Sequence, residues 1–429
     1  MRLIPLLLLG VPLLSALSGQ KWVATWTASV HGPYPSGNAS AQPNLRFAFP
    51  APETGAHDQT FRLMVQPDLW GKRVRLHFSN AFGNRPVAFD GVFAGLHGSG
   101  GALAHGTNRA VRFAGKPAVT IPPGGSVWSD AVDLSFVTNA ALLTGRKLAV
   151  SFHVPGESGR MSWHAKALTT SYLSAPGAGA KGDSEDESAF PYTTTSWYFL
   201  DAVDVMAAAN TRVVVAFGDS ITDGTASTLN GDDRWPNALS RRLHAAYGNR
   251  VSVVNAGIGG NQVLGPAEYT AERPFFGGPS AGQRLERDVI GISGISSVIW
   301  LEGINDFGAN ATAEAIQAGM REIVARLRKA VPGVRVIGAT VVSALGATGA
   351  HGSEAEDKKR RALNDFIRGG GAFDGVADFD KATLDPATGH LRPEFVPDST
   401  TGGAGDKLHP NRAGYLAMAG AIDLKLLLE

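Results

Sequence analysis

The chain has no cysteine in its 429 residues. That excludes a disulfide framework, thiol catalysis and thiolate metal sites. Packing alone must hold the fold, which a chain of this length can supply. Net charge is nearly absent as well: 39 Lys and Arg against 38 Asp and Glu leave +1. There is no basic excess from which to build a nucleic-acid footprint. Charged residues make up only 18% of the chain, below the roughly 25% of an average globular protein. No His/Asp/Glu cluster has zinc-ligand spacing and no HExxH occurs, so neither a metal nor a cofactor is expected.

Long apolar runs are also missing. The segment Leu3 to Leu14 is broken by prolines and is shorter than the ~20 residues of a membrane span. With Met1-Arg2 before it and Ser15-Ala16-Leu17-Ser18 after it, it reads as a secretory leader cleaved near Ser18 to Gln20. An uncleaved anchor is the alternative. A secreted or periplasmic protein without stable membrane insertion is therefore expected.

What the chain does have is glycine, 53 residues, with apolar residues still at 44%. That combination points to many turns in a packed protein rather than to disorder. At this length two domains are expected: a leader over 1–20, a β-rich accessory domain over 21–205 and a second domain over 206–429. In the first half, the runs at Arg73 to Phe78 and Lys147 to Val154 alternate polar and apolar side chains. Turn clusters such as Pro122-Pro123-Gly124-Gly125 separate short strands, which predicts an all-β sandwich or jelly roll.

From Thr211 the pattern changes. TRVVVAFGDS is a continuous apolar run, as in a buried parallel strand. Helical patterns at Trp235 to Gly248, Thr312 to Ala330 and Glu354 to Ile367 alternate with strand-bearing segments at 251–260, 296–306, 334–342 and 375–379. A last helix is predicted from Asn411 to Leu426. Alternating strands and helices make a covered parallel sheet whose ligand site lies beyond the carboxyl ends of its strands.

Four segments converge on that edge. Ser220 follows the first strand, Gly257 to Gly260 the second and Asn305 the third, while Asp406 and His409 precede the last helix. A serine hydroxyl becomes nucleophilic when an imidazole takes its proton and a carboxylate orients that imidazole. Asp406 and His409, three apart, can point the same way across one turn. Ser220 and Gly260 backbone amides with the Asn305 side-chain amide would make a three-donor oxyanion hole. Each part also has a plainer meaning. Ser220 suits an N-cap, His409 a helix entry, and Gly260 and Asn305 tight turns. Asp219 is expected to tie the nucleophile loop to backbone amides, and Arg284 with Asp288 to pair along a helix.

Together these segments resemble the SGNH hydrolases, also called the GDSL-type esterase/lipase superfamily. Phe217 to Gly224, Asn255 to Gly260, Gly303 to Asp306 and Asp406 to Pro410 are similar to its four blocks, in order. Ile221 stands where leucine is common. The resemblance covers residues 211 to 429. It implies Ser220, His409 and Asp406 as the catalytic residues, with Ser220, Gly260 and Asn305 as the oxyanion donors. It also implies a three-layer α/β/α fold with about five parallel strands. Trp22 to Ser29, Ser79 to Gly83 and Leu301 to Gly308 are similar to a narrower bacterial subgroup exemplified by a xylan-cluster esterase from a rumen organism. That likeness implies a small-molecule or polysaccharide ester as substrate, with a short acyl or acetyl group. A lipase or lysophospholipase would use the same chemistry. A non-catalytic carbohydrate-binding protein is the remaining rival. The long connection from Gln262 to Gly282 is expected either to wall the pocket or to contact the β domain.

Overall fold

The computed structural model describes residues 19–37, 45–270 and 272–428. Apart from Gly19 and Gln20, the expected leader lies outside the described residues.

Alternation builds the first half. In the strand Arg73–Ser79, Val74, Leu76 and Phe78 are buried while Arg73, Arg75 and His77 are wholly or partly exposed, the period of two that a one-sided sheet requires. This strand lies in an antiparallel sheet with Ser126–Trp128, Leu200–Ala208 and Gln20–Thr27. A second antiparallel sheet contains His57–Val65, Leu148–Glu157 and Val87–Leu96. Phe78 of the first sheet meets Phe89 and Phe152 of the second with ring centroids 5.2 and 5.3 Å apart. The two sheets therefore face each other across an aromatic core, as the alternation implied. Trp26 and Trp163 belong to that core. Trp128 is only half-buried, beneath the Arg75 guanidinium.

The change of pattern after Ala208 is a change of architecture. Strand Arg212–Gly218 begins a five-stranded parallel sheet in the spatial order Val251–Gly257, Arg212–Gly218, Ile295–Leu301, Arg335–Ala339, Gly375–Ala377. Both faces of the sheet are covered, which is why the first strand is apolar throughout. Val213 and Val215 point into one core with Ile316 and Met320 of helix Ala313–Ala330 and Leu363 of helix Glu354–Gly369. Val214 and Ala216 point the other way, into a core with Leu239 of helix Trp235–Tyr247 and Tyr415 of helix Arg412–Gly420. The result is the three-layer α/β/α arrangement.

The last helix is shorter than its sequence pattern. It ends at Gly420, and a separate turn, Lys425–Leu428, follows. Arg242 of the neighbouring helix donates to the Ala419 and Ile422 carbonyls. The Asp423 side chain accepts from the Lys425 amide and starts the new turn. Side chains thus satisfy groups that a continuous helix would have paired internally.

The two halves share a seam. Ser252 Oγ donates to the Ala24 carbonyl and Thr27 Oγ1 to the Asn255 carbonyl, each at 2.7 Å. The first strand of the sandwich therefore lies against the edge strand of the parallel sheet. Among the described residues no helix is long and apolar enough to cross a membrane.

Candidate active site

Strand Arg212–Gly218 stops at a sharp turn into Ser220–Asp223, a single helical turn. Asp219 caps it, its carboxylate accepting from the Ile221 amide at 3.0 Å. This is the tying role expected of Asp219. Burial pushes its carboxyl up to about 7. The turn fits closely against the second segment. A Cβ on Gly257 would lie 2.3 Å from the Asp223 amide nitrogen, so only glycine is accommodated there.

The structure brings Ser220, His409 and Asp406 together although 189 residues separate serine from histidine. Ser220 Oγ lies 2.8 Å from His409 Nε2, and His409 Nδ1 lies 2.5 Å from Asp406 Oδ2. The other Asp406 oxygen accepts from the Leu408 and His409 amides, both at 2.9 Å. The carboxylate is thus fixed from two directions and can hold Nδ1–H, leaving Nε2 to accept the serine proton. Burial works against the Asp406 charge, but the hydrogen bond and charge of His409 and the two amides outweigh it. They hold the carboxyl well below the usual carboxylate range. Ser220 is 5% exposed, while nearly half of the Asp406 side chain faces solvent.

The two other expected donors meet each other through one residue. Asn305, in the first turn of helix Ile304–Gly308, donates from Nδ2 to the Asn261 carbonyl at 2.9 Å. Asn261 directly follows Gly260. One amide proton of Asn305 is therefore engaged, and its partner proton remains for an anion. Gly260 has φ +84°, and a Cβ there would stand 2.4 Å from Phe276 Cε2. Phe276, half exposed, is thus in close contact with this glycine. In the same insertion Tyr269 donates its hydroxyl to the His31 carbonyl and packs edge-on against Phe82. The insertion therefore contacts both the glycine segment and the β region.

Several buried groups make contacts that the sequence did not indicate. Arg284, fully buried, does more than pair with Asp288 at 3.2 Å. It donates to the Gly218 and Ala256 carbonyls and to the Asn261 side chain. Asp306 accepts from the Val263 and Leu264 amides, and burial lifts its carboxyl to about 6. His164 and Lys166 enter from the β region: His164 Nε2 lies 3.1 Å from Asp223 Oδ1, and Lys166 Nζ lies 2.6 Å from Thr225 Oγ1. No local pattern marks them, because their partners lie 59 residues away in the chain. A cavity of about 550 Å³ opens between the β region and helix Trp235–Tyr247; its lining includes His164 and Asp223 but not Ser220.

Residues 216–417 match the model of the GDSL-like lipase/acylhydrolase family. No curated protein matches the chain. Among solved structures, the chain is similar to an alpha/beta hydrolase enzyme from the metagenome of Lake Arreo, Spain, at 23% identity and a TM-score of 0.36, covering 50% of this chain and 93% of that one. It is similar to a carbohydrate acetylesterase from Sinorhizobium meliloti at 15% identity and a TM-score of 0.36, covering 49% and 96%. A GDSL-like lipase from Bacteroides thetaiotaomicron aligns at 19% identity and a TM-score of 0.35, covering 51% and 88%. Residues 216–417 belong to the GDSL-like lipase/acylhydrolase family, and the protein is accordingly an ester hydrolase.

Proposed function

We propose that the protein is a serine esterase that removes short acyl groups, acetyl among them, from hydroxyl-rich substrates such as plant-type carbohydrates. The observation that carries this reading is the unbroken chain of contacts from Ser220 Oγ to His409 to Asp406, at 2.8 and 2.5 Å.

His409 Nε2 takes the Ser220 proton as Oγ attacks the ester carbonyl carbon. The carbonyl oxygen becomes an oxyanion, held by the Ser220 and Gly260 amides and by Asn305 Nδ2. Collapse breaks the bond to the alcohol oxygen, and His409 returns the proton to that oxygen. Water, deprotonated by the same imidazole, then cleaves the acyl-enzyme and restores Ser220.

The surroundings support the substrate class. The Phe276 ring lies against Gly260, one of the proposed oxyanion donors, and a bulky ring beside that position favours a short acyl group. Residues 401–407, beside His409, are all exposed and consist of Thr, Gly, Ala, Asp and Lys, so the alcohol side meets a wet polar rim. In the same reading the domains divide near residue 205, and the protein acts outside the cytoplasm once its leader is removed.

The test is an acetate-release screen over acetylated xylan, pectin fragments and acetyl sugars, with phospholipids and long-chain esters beside them. Acetate release that disappears in Ser220→Ala is expected. Turnover confined to long-chain lipid esters would favour the lipase or lysophospholipase alternative.

A further inference from the structure

His164 ends strand Ser162–His164 of the β region, yet its ring reaches the hydrolase half. Its Nδ1 lies 2.8 Å from the Ser29 carbonyl oxygen. Its Nε2 lies 3.1 Å from Asp223 Oδ1 and 3.3 Å from the Lys166 carbonyl oxygen. All three neighbours only accept, provided Asp223 is ionised. Both ring nitrogens must then carry protons, so the pair is an imidazolium against a carboxylate. Each side chain is 5% exposed. Burial opposes both charges, but mutual attraction outweighs it, raising His164 above the ordinary imidazole value and lowering Asp223 below the ordinary carboxylate value.

Asp223 has a second contact. Its Oδ2 accepts from the Gly259 amide at 2.9 Å. Gly259 adjoins Gly260, and Asp223 closes the turn that begins at Ser220. One carboxylate therefore links the nucleophile turn to the glycine segment, and a β-region cation holds its remaining oxygen.

The other charges packed around the pair are engaged elsewhere. Lys166 donates to Thr225 Oγ1. Arg234 donates to the main-chain carbonyls of Asp223 and Ala167. His31 stands edge-on to His164 with ring centroids 6.1 Å apart. Burial, and then the His164 charge, push it down to about 3, so it stays neutral. Arg287 adds further positive charge around His31. His164 is the cation hydrogen-bonded to the Asp223 carboxylate itself.

We propose that His164 is a positioning residue for ester hydrolysis: through Asp223 and Gly259 the β region aims the Gly260 amide at the forming oxyanion. This rests on the Ser220 reading above. Oxyanion donors work by being preorganised, and a misplacement of ~1 Å costs about 10²-fold in rate. The β region thereby acquires a part in turnover without touching substrate. The sign of its pH dependence follows from the raised imidazole. The ion pair is complete below the ordinary histidine range and is lost as pH rises through the higher folded value.

The experiment compares wild type, His164→Leu, His164→Gln and Ser220→Ala on p-nitrophenyl acetate from pH 6 to pH 10, with thermal melting of each. A glutamine amide can still donate to Asp223 but does not titrate. His164→Leu should lose about 10²-fold in kcat, the cost of a misplaced group, with KM nearly unchanged. His164→Gln should recover most of kcat near neutrality and lack the alkaline decline that the proposal predicts for wild type. If His164→Leu does not fold, His164→Gln alone decides. An alkaline decline identical to wild type overturns the proposal, as does a folded His164→Leu enzyme with unchanged kcat. Equal activity in Ser220→Ala and wild type would instead sink the serine reading. In that case the ¹⁵N-glycine amide resonance of Gly259 still reports on the brace, and an unmoved resonance in His164→Gln between pH 6 and 10, against a titrating one in wild type, supports it, while equal titration in both overturns it.

Discussion

Arg284 Nη2 donates to the Gly218 carbonyl at 2.8 Å, from a position with no solvent exposure. Gly218 ends the strand that delivers Ser220. The same guanidinium holds the Ala256 carbonyl, near the end of the neighbouring strand, and the Asn261 side chain next to Gly260. One cation therefore sets the spacing between the nucleophile turn and the glycine segment. Asp288 at 3.2 Å balances its charge, and the Glu302 carboxyl lies 3.8 Å away.

Removing that cation should be costly. Arg284→Met leaves Asp288 with Arg287 as its remaining partner and removes one donor each from the Gly218 and Ala256 carbonyls and the Asn261 side chain, and loss of a hydrogen bond to a charged group costs about 1.5–3 kcal/mol. Urea denaturation should show a drop of that order. A midpoint equal to wild type would mean that solvent or Arg287 replaces the guanidinium.

Ser220→Ala removes a small side chain and should leave the melting temperature almost unchanged. Hydrolysis should fall by at least about 10⁴-fold, as in other enzymes that lose a triad member. Asp406→Asn should lower kcat by about 10⁴-fold as well, because an amide at this position favours the wrong imidazole tautomer. Steady-state kinetics with a chromogenic acetate ester measure both. A half-active Asp406→Asn enzyme would assign the orienting role to another group.

Gly260→Ala should cost about 10²–10³-fold in kcat, the range for one oxyanion donor. The added methyl meets Phe276 at 2.4 Å, and φ +84° disfavours any side chain. Pairing it with Phe276→Ala separates the two causes. Recovery of activity would assign the defect to the ring; continued loss would assign it to the backbone angle.

Glu302 supplies a pH-dependent stability test. Its side chain is fully buried, Oε2 accepts from Trp300 Nε1, and Oε1 has no hydrogen-bond partner. Burial lifts its carboxyl from 4.5 to about 8. A folded value above the unfolded one means that its contribution is complete below about 4.5 and is lost as pH rises through about 8. Glu302→Gln cannot ionise. Its stability relative to wild type should therefore rise between pH 6 and pH 9, as followed by thermal melting. A relative stability that stays flat over that interval would show that Glu302 is already charged at pH 6.

Much of the fold was legible in short stretches of chain. Val213 to Ala216 read as a strand buried on both faces because every side chain is apolar, and alternate residues indeed enter two cores. Helix Ala313–Ala330 follows its capping Thr312. The last helix did not follow its apolar pattern, since Arg242, about 180 residues earlier, takes the carbonyls at its end. The site divides in the same way. Asp406 and His409 were visible as a pair because they lie three positions apart on one turn. Nothing near Arg284 indicated two carbonyl partners 28 and 66 residues upstream.

The order of the four segments, the serine with its distant Asp–His pair and the switch from alternating to continuous apolar patterns are all properties of neighbouring residues. The amino-acid chain alone therefore determined the two-part architecture and the candidate chemistry. The tertiary structure decided which buried charges meet. His164 reached Asp223, Arg284 reached Gly218, and the 550 Å³ cavity formed away from Ser220. Such contacts depend on how sheets and helices pack. A buried ion finds its partner only after folding has excluded water and brought remote segments within hydrogen-bonding distance.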